Sequence, residues 1–196
     1  SFPKWNQSQN PGKPHVCPWW LGYLLLVPFR RFSQNPERIL GHYVRKGMTV
    51  LEVGPGMGYF TLPLALLVGG RGRIVCVDLQ KKMLESLKKR ARRAHLAERI
   101  ETRLASETGL QIEDLSDTFD FVLAFAVVHE VADKGLLFQQ MISAMKPASL
   151  MLLSEPTGHV SEREFDDTLA IALESGFETV ERVKIKRSYS VVLRKR

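Results

Sequence analysis

Cysteine is scarce in this chain, with two in 196 residues, and no apolar run is long enough to cross a membrane. Because Cys17 and Cys76 lie far apart in sequence, neither a disulfide between them nor a zinc site is expected. The longest apolar run, Val16 to Phe29, is shorter than the roughly 20 residues of a spanning helix and contains Pro18 and Pro28. No secretory signal or targeting tail is visible, so we expect a cytoplasmic protein.

Charge is unevenly distributed along the chain, whose net charge is +7. By segment, the net charge is +6 over residues 1–46, 0 over 47–80, +5 over 81–98, −10 over 99–183 and +6 over 184–196. Segregated charge could steer an anionic partner, such as RNA or a membrane surface. The basic segment 81–98 also contains apolar residues at helical spacing, namely Leu84, Leu87, Ala91 and Ala94. The simpler interpretation is therefore a helix whose basic residues face solvent.

From Gly47 onward, short β-rich apolar runs alternate with longer amphipathic segments. This alternation is typical of one domain in which helices cover both faces of a parallel sheet. We expect strands near residues 49–53, 73–78, 99–104, 119–125 and 148–154. We expect helices near residues 58–68, 80–94, 134–145 and 161–175. Two more strand-like runs, Glu178 to Lys186 and Ser188 to Leu193, follow each other with almost no connection, which predicts a final hairpin.

A hydrophobic strand ending at Val53 runs into three closely spaced glycines, Gly54, Gly56 and Gly58, and then into a helix. Glycine has no Cβ, so this loop can adopt positive φ and approach a bound group, and the helix offers unpaired N–H donors. Asp78 ends the next apolar run. In a β-α-β unit its carboxylate would lie beside the loop, where it could accept hydrogen bonds from the hydroxyls of a ribose.

The spacing of these glycines separates two classes of cofactor. A dinucleotide fingerprint, G-x-G-x-x-G, would need a glycine where this chain has Tyr59. The run from Glu52 to Gly58, E-V-G-P-G-M-G, with Asp78 downstream instead resembles motif I and its acidic partner in class I S-adenosylmethionine-dependent methyltransferases. The resemblance is to small-molecule, type 11-like members. With a later strand, Phe119 to Ala124, it covers roughly residues 47–196.

The resemblance implies an α/β fold with a doubly wound, Rossmann-like sheet of seven strands. Its order would be 3-2-1-4-5-7-6, with the last strand antiparallel. S-adenosylmethionine is the implied cofactor, and no metal is expected. Residues 47–196 would form the methyltransferase domain, and residues 1–46 would form an N-terminal extension that could act as a lid or substrate cap.

By the same resemblance, the cofactor-binding residues are Glu52, Gly54, Gly56, Gly58, Asp78, Leu79, Ser106, Glu107 and Phe125. Glu52 could hold the ammonium side of the cofactor or could tie down the loop backbone. Asp78 could hold the ribose and also cap the next helix, while Leu79 would pack on the adenine face or in the core. Many family members have Asp after the third strand, and Ser106 and Glu107 are possible substitutes here, unless they form only a surface turn.

The segment after the fourth strand, Phe125 to Glu130, would line the methyl-transfer site. His129 is the best candidate for a general base, because a histidine titrates near neutrality and could take a proton from the acceptor. A structural role is the alternative, since the sulfonium is already activated and in-line positioning can supply much of the acceleration. Glu155 and His159 are weaker candidates from a neighbouring strand end, as is Glu130.

Two absences narrow the acceptor. No Asn/Asp-Pro-Pro-aromatic motif follows the fourth strand, which argues against methylation of the adenine amine in nucleic acid. Cys76 is expected to pack in its strand, so cysteine-dependent methylation of cytosine also lacks support. The extension contains five prolines before residue 30 and several aromatic residues. Its candidate substrate-binding residues are Trp19, Trp20, Tyr23 and Arg30, which could instead shield the sheet or seat the protein at a membrane surface.

We therefore expect methyl transfer from S-adenosylmethionine to a small, apolar or aromatic organic acceptor. An RNA methyltransferase that uses the basic faces is an alternative enzyme. A module that binds S-adenosylmethionine without turnover is an alternative of another class.

Overall fold

The structure is a computed structural model that describes residues 34–196. In chain order its helices are α1 (Pro36–Leu40), α2 (Thr61–Val68), α3 (Lys81–Arg93), α4 (Lys134–Ala144) and α5 (Glu162–Glu174). Its strands are β1 (Thr49–Val53), β2 (Arg73–Asp78), β3 (Ile100–Leu104), β4 (Phe119–Phe125), β5 (Met145–Pro156), β6 (Phe177–Arg182) and β7 (Ser188–Lys195). The candidate substrate residues Trp19, Trp20, Tyr23 and Arg30 lie outside the described residues, as does Cys17.

All seven strands belong to one sheet, in the order β3-β2-β1-β4-β5-β7-β6. Strands β1 to β5 pair in parallel, and β7 lies antiparallel between β5 and β6. The predicted fold class and strand order are therefore confirmed. Parallel pairing of β1 with both β2 and β4 brings the carboxyl ends of these central strands to one edge of the sheet.

The final hairpin is present, but its first strand is shorter than predicted. β6 ends at Arg182 instead of continuing to Lys186. Beyond that point Ile185 makes a single bridge to Ser188, and Arg187 adopts a φ of 61° as the chain turns. Residues 183–187 therefore form a loop between β6 and β7. Their β-rich composition suggests a strand, but the chain reverses direction within them.

Two apolar clusters fill the two faces of the sheet. One contains Val122 and Phe138, and the other contains Leu123 and Leu64, so consecutive residues of β4 point into opposite clusters. Cys76 is fully buried in the second cluster and is a free thiol, which confirms that it packs in its strand.

Local signals at two helices explain their positions. Asn35 caps α1, because its side-chain oxygen accepts a hydrogen bond from the Arg38 backbone N–H at 3.1 Å. Helix α3 buries Leu84, Leu87 and Ala91, and most of its basic residues face solvent. The basic residues of α3 are therefore explained as the solvent-facing side of an amphipathic helix.

The segment before β1 also contacts the core. Leu40 and Val44 are buried in the same cluster as Leu64. The division of the chain between residues 46 and 47 stays a prediction. Among residues 34–196, no helix combines the length and apolar character needed to cross a bilayer.

Candidate active site

The glycine loop after β1 adopts the backbone conformation that its sequence predicts. Gly54, Gly56 and Gly58 have φ values of 68°, 55° and 86°, which L side chains rarely adopt. A Cβ on Gly54 would lie 2.5 Å from the Val127 Cγ2 atom, and one on Gly58 would collide with Leu87. These two glycines permit close packing within the protein.

Gly56 differs from its two neighbours. A Cβ placed there would have no atom of the described residues within 4 Å, so this part of the loop borders open space. Its backbone N–H donates a hydrogen bond of 3.3 Å to Asp78 Oδ2. The loop therefore presents bare backbone to a space beside a carboxylate, as a bound cofactor would require.

Asp78 joins the glycine loop to the end of β2. Besides the bond from Gly56, its Oδ1 atom accepts a hydrogen bond of 2.8 Å from the Gln80 backbone N–H. The N-cap position of α3 is Gln80, so Asp78 does not occupy it. Burial raises the pKa of Asp78, while the two backbone hydrogen bonds act in the opposite direction. Leu79, the next residue, is 45% exposed and leaves an apolar surface at this edge.

Glu52 lies beneath the loop. It is 3% exposed, and its Oε2 atom accepts a hydrogen bond of 2.5 Å from the Thr61 hydroxyl, with Cys76 Sγ at 3.7 Å. Burial raises the pKa of Glu52 to about 7, although the two hydrogen bonds partly counteract this effect. The structure thus ties Glu52 to the start of α2, and its predicted contact with the cofactor stays a prediction.

Two further contacts hold the loop, and sequence reasoning missed both. Arg90 of α3 donates a hydrogen bond of 2.5 Å to the Met57 carbonyl, and the Tyr59 hydroxyl donates one of 3.0 Å to the Gln34 carbonyl. Arg90 is one of seven basic residues between positions 81 and 93, so nothing in the sequence distinguishes it from the solvated ones.

Ser106 and Glu107 lie in an exposed turn two residues beyond β3. The Ser106 backbone N–H donates to the Gly109 carbonyl at 3.0 Å, and its hydroxyl lies 2.9 Å from the Thr108 hydroxyl. Leu104, at the end of β3, pairs with Asp78 of β2, which places this turn near the cofactor loop. Ser106 and Glu107 therefore belong to a surface turn, and the contact of either side chain with adenine stays a prediction.

The segment after β4 is joined closely to β5. Ala126 takes a φ of 58°, and its backbone N–H donates to the Ser154 carbonyl at 2.7 Å. The ring of Phe125 is 8% exposed and lies 4.4 Å from the ring of Phe60, centroid to centroid. Phe125 is thus largely a core residue, and its contact with the cofactor stays a prediction. The unusual backbone at Ala126 directs the chain over the sheet edge toward His129.

His129 meets a buried carboxylate. Its Nδ1 atom is hydrogen-bonded to Glu155 Oε2, and Glu155, which is 1% exposed, also accepts a bond of 2.8 Å from the Val128 backbone N–H. Because a carboxylate can only accept, His129 Nδ1 carries the proton and Nε2 keeps a lone pair in the neutral ring. His159 Nδ1 lies 3.4 Å from that Nε2 atom. The structure therefore brings together three side chains that the sequence singled out separately.

Charge near His129 stabilises its protonated form. Burial acts to lower the pKa of His129, but the hydrogen bond and the negative charge of Glu155, with a smaller effect of Glu130, outweigh it and raise the pKa above its usual value. Glu130 Oε1 lies 4.0 Å from His129 Nε2. An oriented imidazole with a raised pKa is a stronger base than a free one.

Comparison with known proteins decides the family. A family described as a methyltransferase domain matches residues 44–190. The chain belongs to the class I S-adenosylmethionine-dependent methyltransferases. A structure of a SAM-dependent methyltransferase from Aquifex aeolicus has a TM-score of 0.82 and 20% identity, covering 91% of this chain and 99% of that one. At that identity the likeness shows the fold alone.

Curated relatives of this methyltransferase include two with names from quinone biosynthesis. A ubiquinone biosynthesis O-methyltransferase of Bradyrhizobium diazoefficiens is 32% identical over 141 residues, which is 71% of this chain and 51% of the relative. A ubiquinone/menaquinone biosynthesis C-methyltransferase of Escherichia coli is 30% identical over 112 residues, or 57% of this chain and 44% of the relative. The chain thus spans about half the length of the curated relatives that it matches.

The residues of the methyltransferase fit its family's cofactor. Gly56 leaves open space that a Cβ would fill, Asp78 offers a carboxylate beside that space, and Leu79 offers an exposed apolar surface. Within residues 34–196, no cluster of three or more His, Cys, Asp and Glu side chains could hold a metal ion.

We predict that Gly56→Ala weakens S-adenosylmethionine binding by about tenfold or more, because its methyl group would enter the cofactor space. Gly47→Ala is a matched control. Gly47 has a φ of 87°, also has no neighbour within 4 Å of a Cβ, and precedes β1 at the opposite edge of the sheet. Both variants should lose about 1–2 kcal/mol of stability through backbone strain. Calorimetric titration would contradict the assignment if the two variants bound the cofactor equally well.

We also predict that Glu52 makes stability depend on pH. With its pKa at about 7 when folded and near 4.5 when unfolded, the folded state binds more protons between these values. The free energy of unfolding should therefore fall as pH rises through this range, by up to about 3 kcal/mol from this group. Glu52→Gln should remove that contribution, as measured by urea unfolding at pH 4.5 to 7.5.

A second variant tests the cause. Thr61→Val removes the hydroxyl that stabilises ionised Glu52, so the loss of stability should extend to higher pH. If the stability of Glu52→Gln kept the full pH dependence of the wild-type protein, Glu52 would not be the group responsible for that dependence.

Proposed function

We propose that this protein transfers the methyl group of S-adenosylmethionine to a small organic acceptor and leaves S-adenosylhomocysteine. The observation that carries the proposal is the contact between the two halves of the site. Gly54 of the cofactor loop packs against Val127, two residues before His129. A group bound at the loop would thus lie beside an oriented histidine that could take a proton from the acceptor.

The cofactor would be held by the residues that border the open space. Asp78 can accept hydrogen bonds from two ribose hydroxyls, because each carboxylate oxygen has a second lone pair besides the one used by a backbone N–H. Leu79 would cover one face of the adenine, and Gly56 would let the methionine portion approach the backbone. Bound S-adenosylmethionine supplies an activated methyl group on a sulfonium.

His129 would act as the general base. As the methyl group arrives, a hydroxyl of the acceptor loses its proton, and the lone pair on Nε2 can take it. Glu155 holds the opposite ring nitrogen, which fixes the tautomer and stabilises the imidazolium that forms. The same buried carboxylate bonds to the Val128 backbone, so the ring and its segment are positioned together.

An apolar phenol-like acceptor is the substrate class that we propose. Two relatives have names from quinone biosynthesis, and a reduced quinone carries hydroxyl groups on an apolar aromatic ring. A hydroxyl of this kind is acidic enough for a histidine to deprotonate as the methyl group is transferred. The cytoplasmic location expected from the sequence stays a prediction.

The extension would contribute the acceptor's remaining contacts. The Gln34 side chain donates a hydrogen bond of 3.2 Å to the Lys186 carbonyl, and the Gln34 backbone carbonyl accepts one from the Tyr59 hydroxyl next to the glycine loop. Gln34, the first described residue, therefore lies beside the cofactor loop. This supports a role in acceptor binding for Trp19, Trp20, Tyr23 and Arg30, which stays a prediction.

We predict that His129→Gln lowers kcat by about 10² to 10⁴ and leaves cofactor affinity unchanged, because the base acts on the acceptor. S-adenosylhomocysteine formation with a panel of catechols and hydroquinones would measure the effect. His42→Gln, at an exposed histidine, is the control. Since protonated His129 cannot accept a proton, kcat should fall as pH falls through its raised pKa.

Glu155→Gln refines this prediction. The amide can still accept from Val128 but carries no charge, so it should lower the pKa of His129 and move the acidic fall in kcat to lower pH. A His129→Gln variant with full activity would remove the general-base assignment. Absence of product with every member of the panel would contradict the phenol-like acceptor.

A further inference from the structure

A second imidazole, that of His159, lies beside His129 on the side opposite Glu155. His159 is exposed, in the turn between β5 and α5, and its Nδ1 atom is 3.4 Å from His129 Nε2. The two rings meet edge to face, with centroids 5.4 Å apart and an interplanar angle of 76°. The side chains thus form a continuous line from buried Glu155 through His129 to a solvent-facing ring.

From this line we infer that His159 carries the acceptor's proton from His129 to solvent. The inference rests on the proposed methyl transfer and adds a residue to it. Because Glu155 holds the Nδ1–H group of His129, a proton taken by the Nε2 atom has to leave by that same atom. The ring nitrogen closest to Nε2 that can accept it belongs to His159.

The charges around His129 stabilise its protonated form, so a second base is needed to remove the proton. Glu155 of β5 and Glu130 of the adjacent turn stabilise the imidazolium, and Lys134 at the start of α4 opposes it. Imidazolium on His129 would therefore persist after methyl transfer unless a base removed the proton. His159 offers such a base in direct contact and can exchange its proton with water.

The step balances without any oxidant or reductant. The acceptor O–H bond breaks as the new O–CH₃ bond forms, and the S–CH₃ bond breaks with its electrons retained on sulfur. The proton passes to His129 Nε2 and then to Nδ1 of a neutral His159 ring that carries its own proton on Nε2, and that Nε2 proton is released to water. Exchange with water lets the exposed His159 ring regain this tautomer before the next transfer. Each turnover therefore releases one proton to solvent and restores the neutral His129 ring.

Resting geometry implies that His159 moves during turnover. In the structure its Nδ1 atom lies where it can donate to the lone pair of His129 Nε2, which is the lone pair that must face the acceptor. The acceptor would displace the exposed His159 ring on binding. The ring would return to Nε2 when the product leaves.

Ring ¹⁵N NMR of the full chain tests the contact without any acceptor. His159→Gln should change the ¹⁵N chemical shift of His129 Nε2, because that nitrogen would lose the ring nitrogen that lies 3.4 Å from it, while the control His42→Gln should not change it. An unchanged His129 Nε2 shift in His159→Gln would overturn the relay and leave the proposed methyl transfer intact.

Kinetics test the proton's route. His159→Gln should lower kcat by about tenfold, with unchanged affinity for S-adenosylmethionine, and added imidazole should restore part of the loss. His129→Gln should not respond in the same way, because imidazole in solution cannot replace an oriented base inside the site. Full activity of His159→Gln, with no dependence on added imidazole, would overturn the inference. Absence of turnover in the original protein would overturn the proposed function itself.

Discussion

The close packing of Gly54 against Val127 is the constraint on which the rest of the site depends. A Cβ on residue 54 would lie 2.5 Å from the Val127 side chain, so only glycine lets the loop after β1 meet the segment after β4. The pairing of β1 with β4 brings these two segments together, and positive φ at Gly54 closes the remaining gap. One segment offers open backbone at Gly56, and the other directs His129 over the sheet edge. The glycine loop and the segment that carries His129 are adjacent because Gly54 packs against the Val127 side chain.

Three carboxylates at this edge have different surroundings and hence different roles. Glu52 is buried against a hydroxyl and a thiol, which raises its pKa to about 7 and suits it to holding the loop from beneath. Asp78 accepts two backbone N–H groups and borders the open space, which suits it to a neutral polar ligand such as a ribose. Glu155 is buried behind an imidazole, which suits it to stabilising a positive charge. The same chemical group is thus suited to packing, to ligand binding or to stabilising a cation, according to which donors each carboxylate meets.

Periodicity and turn chemistry predict the fold because both act locally. Short β-rich apolar runs between longer amphipathic segments identify the central strands, and the family that the run from Glu52 to Gly58 resembles gives the order of the sheet. Local patterns do not predict what distant side chains meet. Arg90 looks like its solvated neighbours yet bonds to the Met57 carbonyl, and the end of β6 depends on where the chain turns toward β7. His129, Glu155 and His159 are each visible in the sequence as candidates. Their alignment arises only when β4 and β5 pair in register.

Cofactor binding at Asp78 tests the central claim most directly. Purified protein and Asp78→Ala would be titrated with S-adenosylmethionine by calorimetry, with NAD as the competing ligand class. The structure predicts binding of S-adenosylmethionine and not of NAD. It also predicts an affinity lower by about tenfold or more in Asp78→Ala, from the loss of about 1.5–3 kcal/mol of hydrogen bonding to a charged group. Equal affinity in the two proteins, or binding of NAD alone, would contradict the assignment of the loop.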